Sequence, residues 1–122
     1  MLGQIVTVTV DRKMGTRHPK YPDLIYPVNY GYIQGIPAPA GEDQDAYILG
    51  VDEPVNVFTG KIIAIIHRKD DVEEKWVVVP REQTLSKEEI MEQVKFQEQY
   101  FDIVIEMEKL IDQPKKSDLK VF

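Results

Sequence analysis

Three carboxylates, Glu42, Asp43 and Asp45, fall within four residues, and no basic residue stands among them. Like charges at that density repel, raise one another's pKa values and cost stability, unless a cation sits among them. Hard divalent ions such as Mg²⁺ take carboxylate oxygens in this way. A second acidic group, Asp70, Asp71, Glu73 and Glu74, lies between two apolar stretches. Brought to one rim, the two groups would make a metal site; apart, they are solvated turns. The loop Gly15-Thr16-Arg17-His18-Pro19-Lys20-Tyr21 is the opposite case, a cationic cluster that either holds an anion or is a basic surface turn. His67, a lone histidine at a strand end, is read as a strand-edge residue. Tyr26, Tyr30 and Tyr32 need buried rings and partnered hydroxyls, so they face a pocket or cover a barrel.

These residues have to be positioned by a single domain, because 122 residues support one core, spanning 1–122. With 43% hydrophobic and 30% charged residues the chain is of globular type. A net charge of −6 argues against a general grip on nucleic-acid backbones. The lack of cysteine excludes disulfides, thiolate zinc sites and cysteine nucleophiles. No apolar run reaches bilayer length and no leader pattern opens the chain, so the expectation is a cytoplasmic protein without membrane contact.

Val6, Val8 and Val10 alternate with Thr7 and Thr9, which predicts a half-buried strand. Prolines 19, 22, 27, 37 and 39 predict ordered loop with short extended pieces over 11–41. Residues 47–51, 61–67 and 76–79 read as buried strands, with Gly60 and the Asp70-Asp71 pair marking turns. Ser86 with Glu89 forms a capping-box pattern, and Ile90, Val94, Phe101, Val104 and Ile105 follow at roughly helical spacing, so a C-terminal helix is expected. The β-branched stretch within 101–105 competes with it locally, leaving open whether the helix reaches Ile111. The polar tail after Pro114 is expected to fray. The fold class is mainly β with α: a small barrel with one terminal helix.

The segments YPVNYGYI at 26–33 and GEDQDAYILG at 41–50 resemble the core of the soluble family I inorganic pyrophosphatases, whose pattern is YPxNYG and then DGDPxD running into an apolar strand. The resemblance continues through GKIIAII at 60–66 and KWVVVP at 75–80 to FQEQY at 96–100. It covers most of the chain, in order. It implies an OB-like five-stranded β-barrel with flanking helix, Mg²⁺ as cofactor, pyrophosphate or another small phosphoanhydride as substrate, and a homo-oligomer. By resemblance Asp45 is a central metal ligand, Glu42 helps activate the attacking water, and Glu73 and Asp70 belong to the second ligand group; the catalytic candidates, either of which would help deprotonate that water, are Glu42 and Asp45. Tyr30 and Tyr100 match phosphate-contacting tyrosines and Lys75 a phosphate-side lysine; Lys20 matches another on the assumption of a deletion. Ala40 stands where the first signature aspartate belongs, which makes Asp43 the candidate for the absent carboxylate. Phe101 replaces a lysine, and the hairpin that carries the family's active-site arginine is missing. Arg17 and His18, next to Lys20, are the candidates to replace those cations. The rival reading is a non-catalytic barrel binding phosphate or nucleotide; an OB-like nucleic-acid module is disfavoured by the acidic rim.

Overall fold

In the computed structural model, which describes residues 1–70 and 72–108, six strands and one helix follow in the order β1 (Ile5–Arg12), β2 (Asn29–Pro37), β3 (Asp43–Ile48), β4 (Val57–Arg68), β5 (Glu74–Val79), α1 (Lys87–Glu98) and β6 (Ile103–Met107). The sheet runs β1-β2-β3-β5-β4, and β1 pairs again with β4, closing a five-stranded barrel. The β3–β5 pairing is parallel and the other barrel pairings are antiparallel. β6 adds a sixth strand on the outside of β4. The pattern of strands and turns implies a small barrel with one helix, and the resemblance implies its five strands.

Alternation along the strands feeds two cores, one on each face of the curved sheet. Val8, Ile33, Ala46, Ile48, Ile62, Ile65, Trp76 and Val78, drawn from all five barrel strands, fill the barrel. The opposite face carries Tyr30, Tyr47, Leu49, Ile63, Ile66, Val77 and Val79, and α1 covers it with Ile90 and Val94. Val8 is fully buried, while Thr7 Oγ1 meets Thr59 Oγ1 at 2.8 Å on the other face, as the alternation predicts.

Three expectations need correction. The 11–41 stretch contains the nine-residue strand β2, because its prolines stand outside Asn29–Pro37 except at the last position. Gly31 lets this strand press onto β1: a Cβ there would lie 1.9 Å from the carbonyl oxygen of Thr9. Gly60 is no turn; it is inside β4, where a Cβ would lie 2.3 Å from the Val79 carbonyl oxygen. The helix begins at the predicted capping box, with Glu89 N bonded to Ser86 Oγ and Ser86 N to Glu89 Oε1, but it ends at Glu98. The β-branched stretch then wins as β6, since pairing with β4 buries Ile105 opposite Ile66. Ile111 and the tail after Pro114 lie outside the described residues.

Candidate active site

The parallel pairing of β3 with β5 sets Ala46 beside Trp76, so Asp45 and Lys75, one residue earlier on each strand, stand side by side. Antiparallel pairing of β2 with β3 brings Tyr30 to the same face as Asp45. The result is a compact cluster. Lys75 Nζ lies 2.7 Å from Asp45 Oδ2 and 2.7 Å from Glu73 Oε1, and the Tyr30 hydroxyl donates to Asp45 Oδ2 at 2.9 Å. Burial raises the Tyr30 pKa, so its hydroxyl stays protonated and serves as a donor. Burial works against the Lys75 ammonium, but its hydrogen bonds to Asp45 and Glu73 offset this and hold the group charged.

This cluster forms one wall of a cleft of about 960 Å³. Glu42, His18, Tyr100, Phe101, Asp11, Arg12 and Arg68 also line it. Of the residues singled out in the sequence, Glu42, Asp45, Glu73, Tyr30, Lys75, Tyr100 and His18 are thus brought to a single site. The others fall elsewhere. Arg17 turns its guanidinium to the Pro22 carbonyl, 2.8 Å away, and Lys20 is exposed on the same loop without lining the cleft. Asp43 accepts from Gly35 N at 3.3 Å, and Asp70 sits in the exposed turn after β4. Glu74 faces outward to His67, whose Nδ1 lies 3.3 Å from it.

His18, a candidate cation in the sequence, lines the cleft. Desolvation, with Arg12 and Lys20 nearby, lowers its pKa from the ordinary histidine value, and its Nδ1 accepts from the backbone N–H groups of Lys20 and Tyr21. The ring stacks on Tyr26 at a centroid distance of 5.9 Å.

Besides Lys75, the Lys and Arg residues that line the cleft among the described residues, Arg12 and Arg68, are ones the pattern did not single out. A β-bulge between Val10 and Arg12 breaks the β1 register, so Asp11 and Arg12 both reach the cleft wall although alternation would send Arg12 to the side of Val8 and Val10. Arg12 lies over the rings of Tyr26 and Tyr30, 5.6 and 5.7 Å from their centroids. Arg68, at the end of β4, donates through Nε and Nη2 to Glu98 at 3.0 and 2.8 Å and lies 3.6 Å from the centre of the Phe101 ring. Glu98 was readable in principle, because it continues the Ile90, Val94 spacing onto the buried face of α1. For Arg12 no local signal exists, since nothing in the sequence marks the bulge.

The donor set can be weighed against a divalent cation. Among the described residues five carboxylates line the cleft, Asp11, Asp23, Glu42, Asp45 and Glu73, against the three cations Arg12, Arg68 and Lys75. Burial, with Asp45 contributing, raises the Asp11 pKa. Hard oxygen donors with surplus negative charge fit Mg²⁺ in kind. Among the described residues no three acidic or histidine side chains converge as a ready-made centre, and the Lys75 ammonium holds the place between Asp45 and Glu73.

Comparison with solved structures finds the same fold repeatedly. An inorganic pyrophosphatase from Ehrlichia chaffeensis superposes with a TM-score of 0.63 at 14% identity, over 84% of this chain and 85% of that one. The Neisseria gonorrhoeae enzyme gives 0.57 at 19% identity, over 77% and 72%. An inorganic pyrophosphatase from Coxiella burnetii gives 0.59 at 14% identity, over 95% and 92%. The chain therefore has the pyrophosphatase fold. No protein-family model matches the sequence, and no curated protein does. Among the described residues no helix is long and apolar enough to cross a membrane.

Proposed function

We propose that this protein hydrolyses inorganic pyrophosphate, or another small phosphoanhydride, with Mg²⁺. The observation that carries the reading is the convergence of Asp45, Glu73, Lys75 and Tyr30 on one wall of the cleft, within a barrel whose solved neighbours are pyrophosphatases. Asp45 and Glu73, with Glu42, are the residues proposed to hold the ion. Once bound, Mg²⁺ would polarise phosphoryl oxygens and lower the pKa of a water. The chain's own groups supply the rest. Tyr30 and Lys75 fix the Asp45 carboxylate in one orientation, and Lys75 offers a point charge to a phosphoryl oxygen. Glu42 is proposed to take the proton of the attacking water. Tyr100, largely exposed at the cleft mouth, is proposed to donate its hydroxyl to phosphate. A cytoplasmic, homo-oligomeric enzyme is the setting that the resemblance suggests.

Phosphate release from pyrophosphate in the presence of Mg²⁺ tests the reading, with Asp45→Asn expected to lose about 100-fold or more. Mg²⁺ alone is expected to raise the melting temperature of the wild type, and Asp45→Asn to remove most of that rise. Absence of phosphate release by the wild type from pyrophosphate and from nucleoside di- and triphosphates would overturn hydrolysis. One feature favours the second reading, a barrel that binds phosphate without turnover: the Lys75 ammonium already stands between Asp45 and Glu73. Tight pyrophosphate binding without turnover is its signature.

A further inference from the structure

Aromatic rings open to water are rare on this chain, and they are not scattered. Among the described residues two aromatic side chains are exposed, Tyr21 at 63% and Tyr100 at 72%, and both line the cleft. Tyr21 belongs to the loop between β1 and β2, and Tyr100 follows α1. The fold asks little of either. Tyr21 tilts against His18 at a centroid distance of 5.0 Å, Tyr100 has no ring contact among the described residues, and neither hydroxyl has a hydrogen-bond partner among them. Each ring keeps apolar area in water that a stacked ligand would bury.

The groups beside them share that character. Leu24 and Phe101 also line the cleft. Phe101 stands where the resemblance expects a lysine, so a face that would attract a phosphoryl oxygen offers a phenyl ring instead. Asp23, on the Tyr21 loop, repels phosphoryl oxygens but accepts hydrogen bonds from sugar hydroxyls. The cleft's volume of about 960 Å³ stands near the top of the roughly 300–1,000 Å³ that pockets for drug-sized ligands span. Pyrophosphate would fill a small part of it. The site thus joins a charged wall, formed by Asp45, Glu73 and Lys75, to aromatic and apolar groups for which a bare inorganic anion has no use.

We propose that the substrate is a nucleoside di- or triphosphate whose base stacks on the Tyr21 ring while its phosphoanhydride lies against the Asp45–Lys75 wall. This deepens the hydrolase reading and rests on it for the reaction. In that reaction a water oxygen bonds to the terminal phosphorus and the bridging P–O bond breaks. The nucleotide, one phosphoryl group shorter, leaves with the electron pair, and Glu42 takes the water's proton. Base stacking suits a tyrosine because every base presents a π-face, whatever its hydrogen-bonding edge.

The test uses the full chain as wild type, Tyr21→Ala and Tyr21→Phe. ADP is compared with pyrophosphate and ATP with tripolyphosphate, so that each pair differs by the nucleoside. Binding is measured by calorimetry with Mg²⁺, and phosphate release by kinetics. The wild type is expected to bind each nucleotide about tenfold or more tightly than its inorganic counterpart, as one base–aromatic stack implies. Tyr21→Ala is expected to lose that margin while pyrophosphate and tripolyphosphate affinities stay within about twofold, and Tyr21→Phe to keep it, because the ring and not the hydroxyl makes the stack. A wild type without the margin, or a margin that survives Tyr21→Ala, overturns the subsite and leaves pyrophosphate hydrolysis standing. An equal loss for nucleotides and inorganic anions in Tyr21→Ala also overturns it, since the ring would then support the loop rather than a base. Tyr21-dependent ADP binding without phosphate release overturns hydrolysis and leaves the subsite, and a wild type that binds none of these probes overturns both.

Discussion

The cleft contains two cation–carboxylate arrangements built from the same groups and doing opposite things. Arg68 and Glu98 meet in the floor, with side-chain exposures of 8% and 0%, and every strong partner is used: two guanidinium nitrogens on the carboxylate, the Tyr47 hydroxyl on its second oxygen, and Phe101 over the guanidinium. Lys75 in the wall is equally buried at 6%, yet its partners Asp45 and Glu73 are 39% and 42% exposed. The difference lies in the anions. A buried carboxylate must keep its cation, whereas carboxylates open to water can exchange one cation for another. The floor is therefore a strut, and the wall is where ligand chemistry can occur.

The sharpest way to break that contrast is Glu98→Gln, which strands a buried guanidinium. It is expected to cost about 3–5 kcal/mol in denaturant unfolding. A loss below about 1 kcal/mol would mean that the floor pair is no strut. Next in size is Lys75→Met, which keeps the volume and removes the charge. Water takes over the exposed carboxylates, so the unfolding free energy should fall by no more than about 1 kcal/mol, while pyrophosphate affinity drops about tenfold. The melting-temperature rise produced by Mg²⁺ alone should grow, since Asp45 and Glu73 no longer share an ammonium. A stability loss as large as that of Glu98→Gln would erase the distinction between wall and floor.

The smallest effect is expected at His18. Desolvation, together with Arg12 and Lys20, lowers its folded pKa below the ordinary value of 6.5, so the ring is neutral at pH 7. With a lowered folded pKa the unfolded chain binds more protons, so stability is full above about 6.5 and declines as pH falls through it. His18→Gln should remove that decline and leave pyrophosphate affinity unchanged from pH 7 to 8. An affinity that falls in the wild type as pH rises through neutrality, and no longer does so in His18→Gln, would restore the histidine as a charged phosphate ligand.

Much of this was legible without coordinates because its causes are local. Alternation of valine and threonine along 6–10 specifies a half-buried strand, and Ser86 with Glu89 starts α1 through side-chain bonds spanning three residues. The acidic run ending at Asp45, with KWVVVP behind it, pointed to the wall through the resemblance, and parallel pairing then set Asp45 against Lys75. What stayed hidden depends on register and on contacts distant in sequence. β2 was obscured by prolines that lie largely outside it. Glu98 finds Tyr47 from 51 residues away and Arg68 from 30, so its type and helical spacing suggest burial but name no partner. Arg12 is the clearest case. Alternation assigns it to the side of the valines, and one extra residue in the ladder with β2 turns it to the cleft instead. The amino-acid pattern determined which segments become strands and helix, because propensity, capping and alternation act between neighbours. Only the closed barrel decided which charges meet, because a bulge, a register and a buried ion pair are properties of strands already packed together.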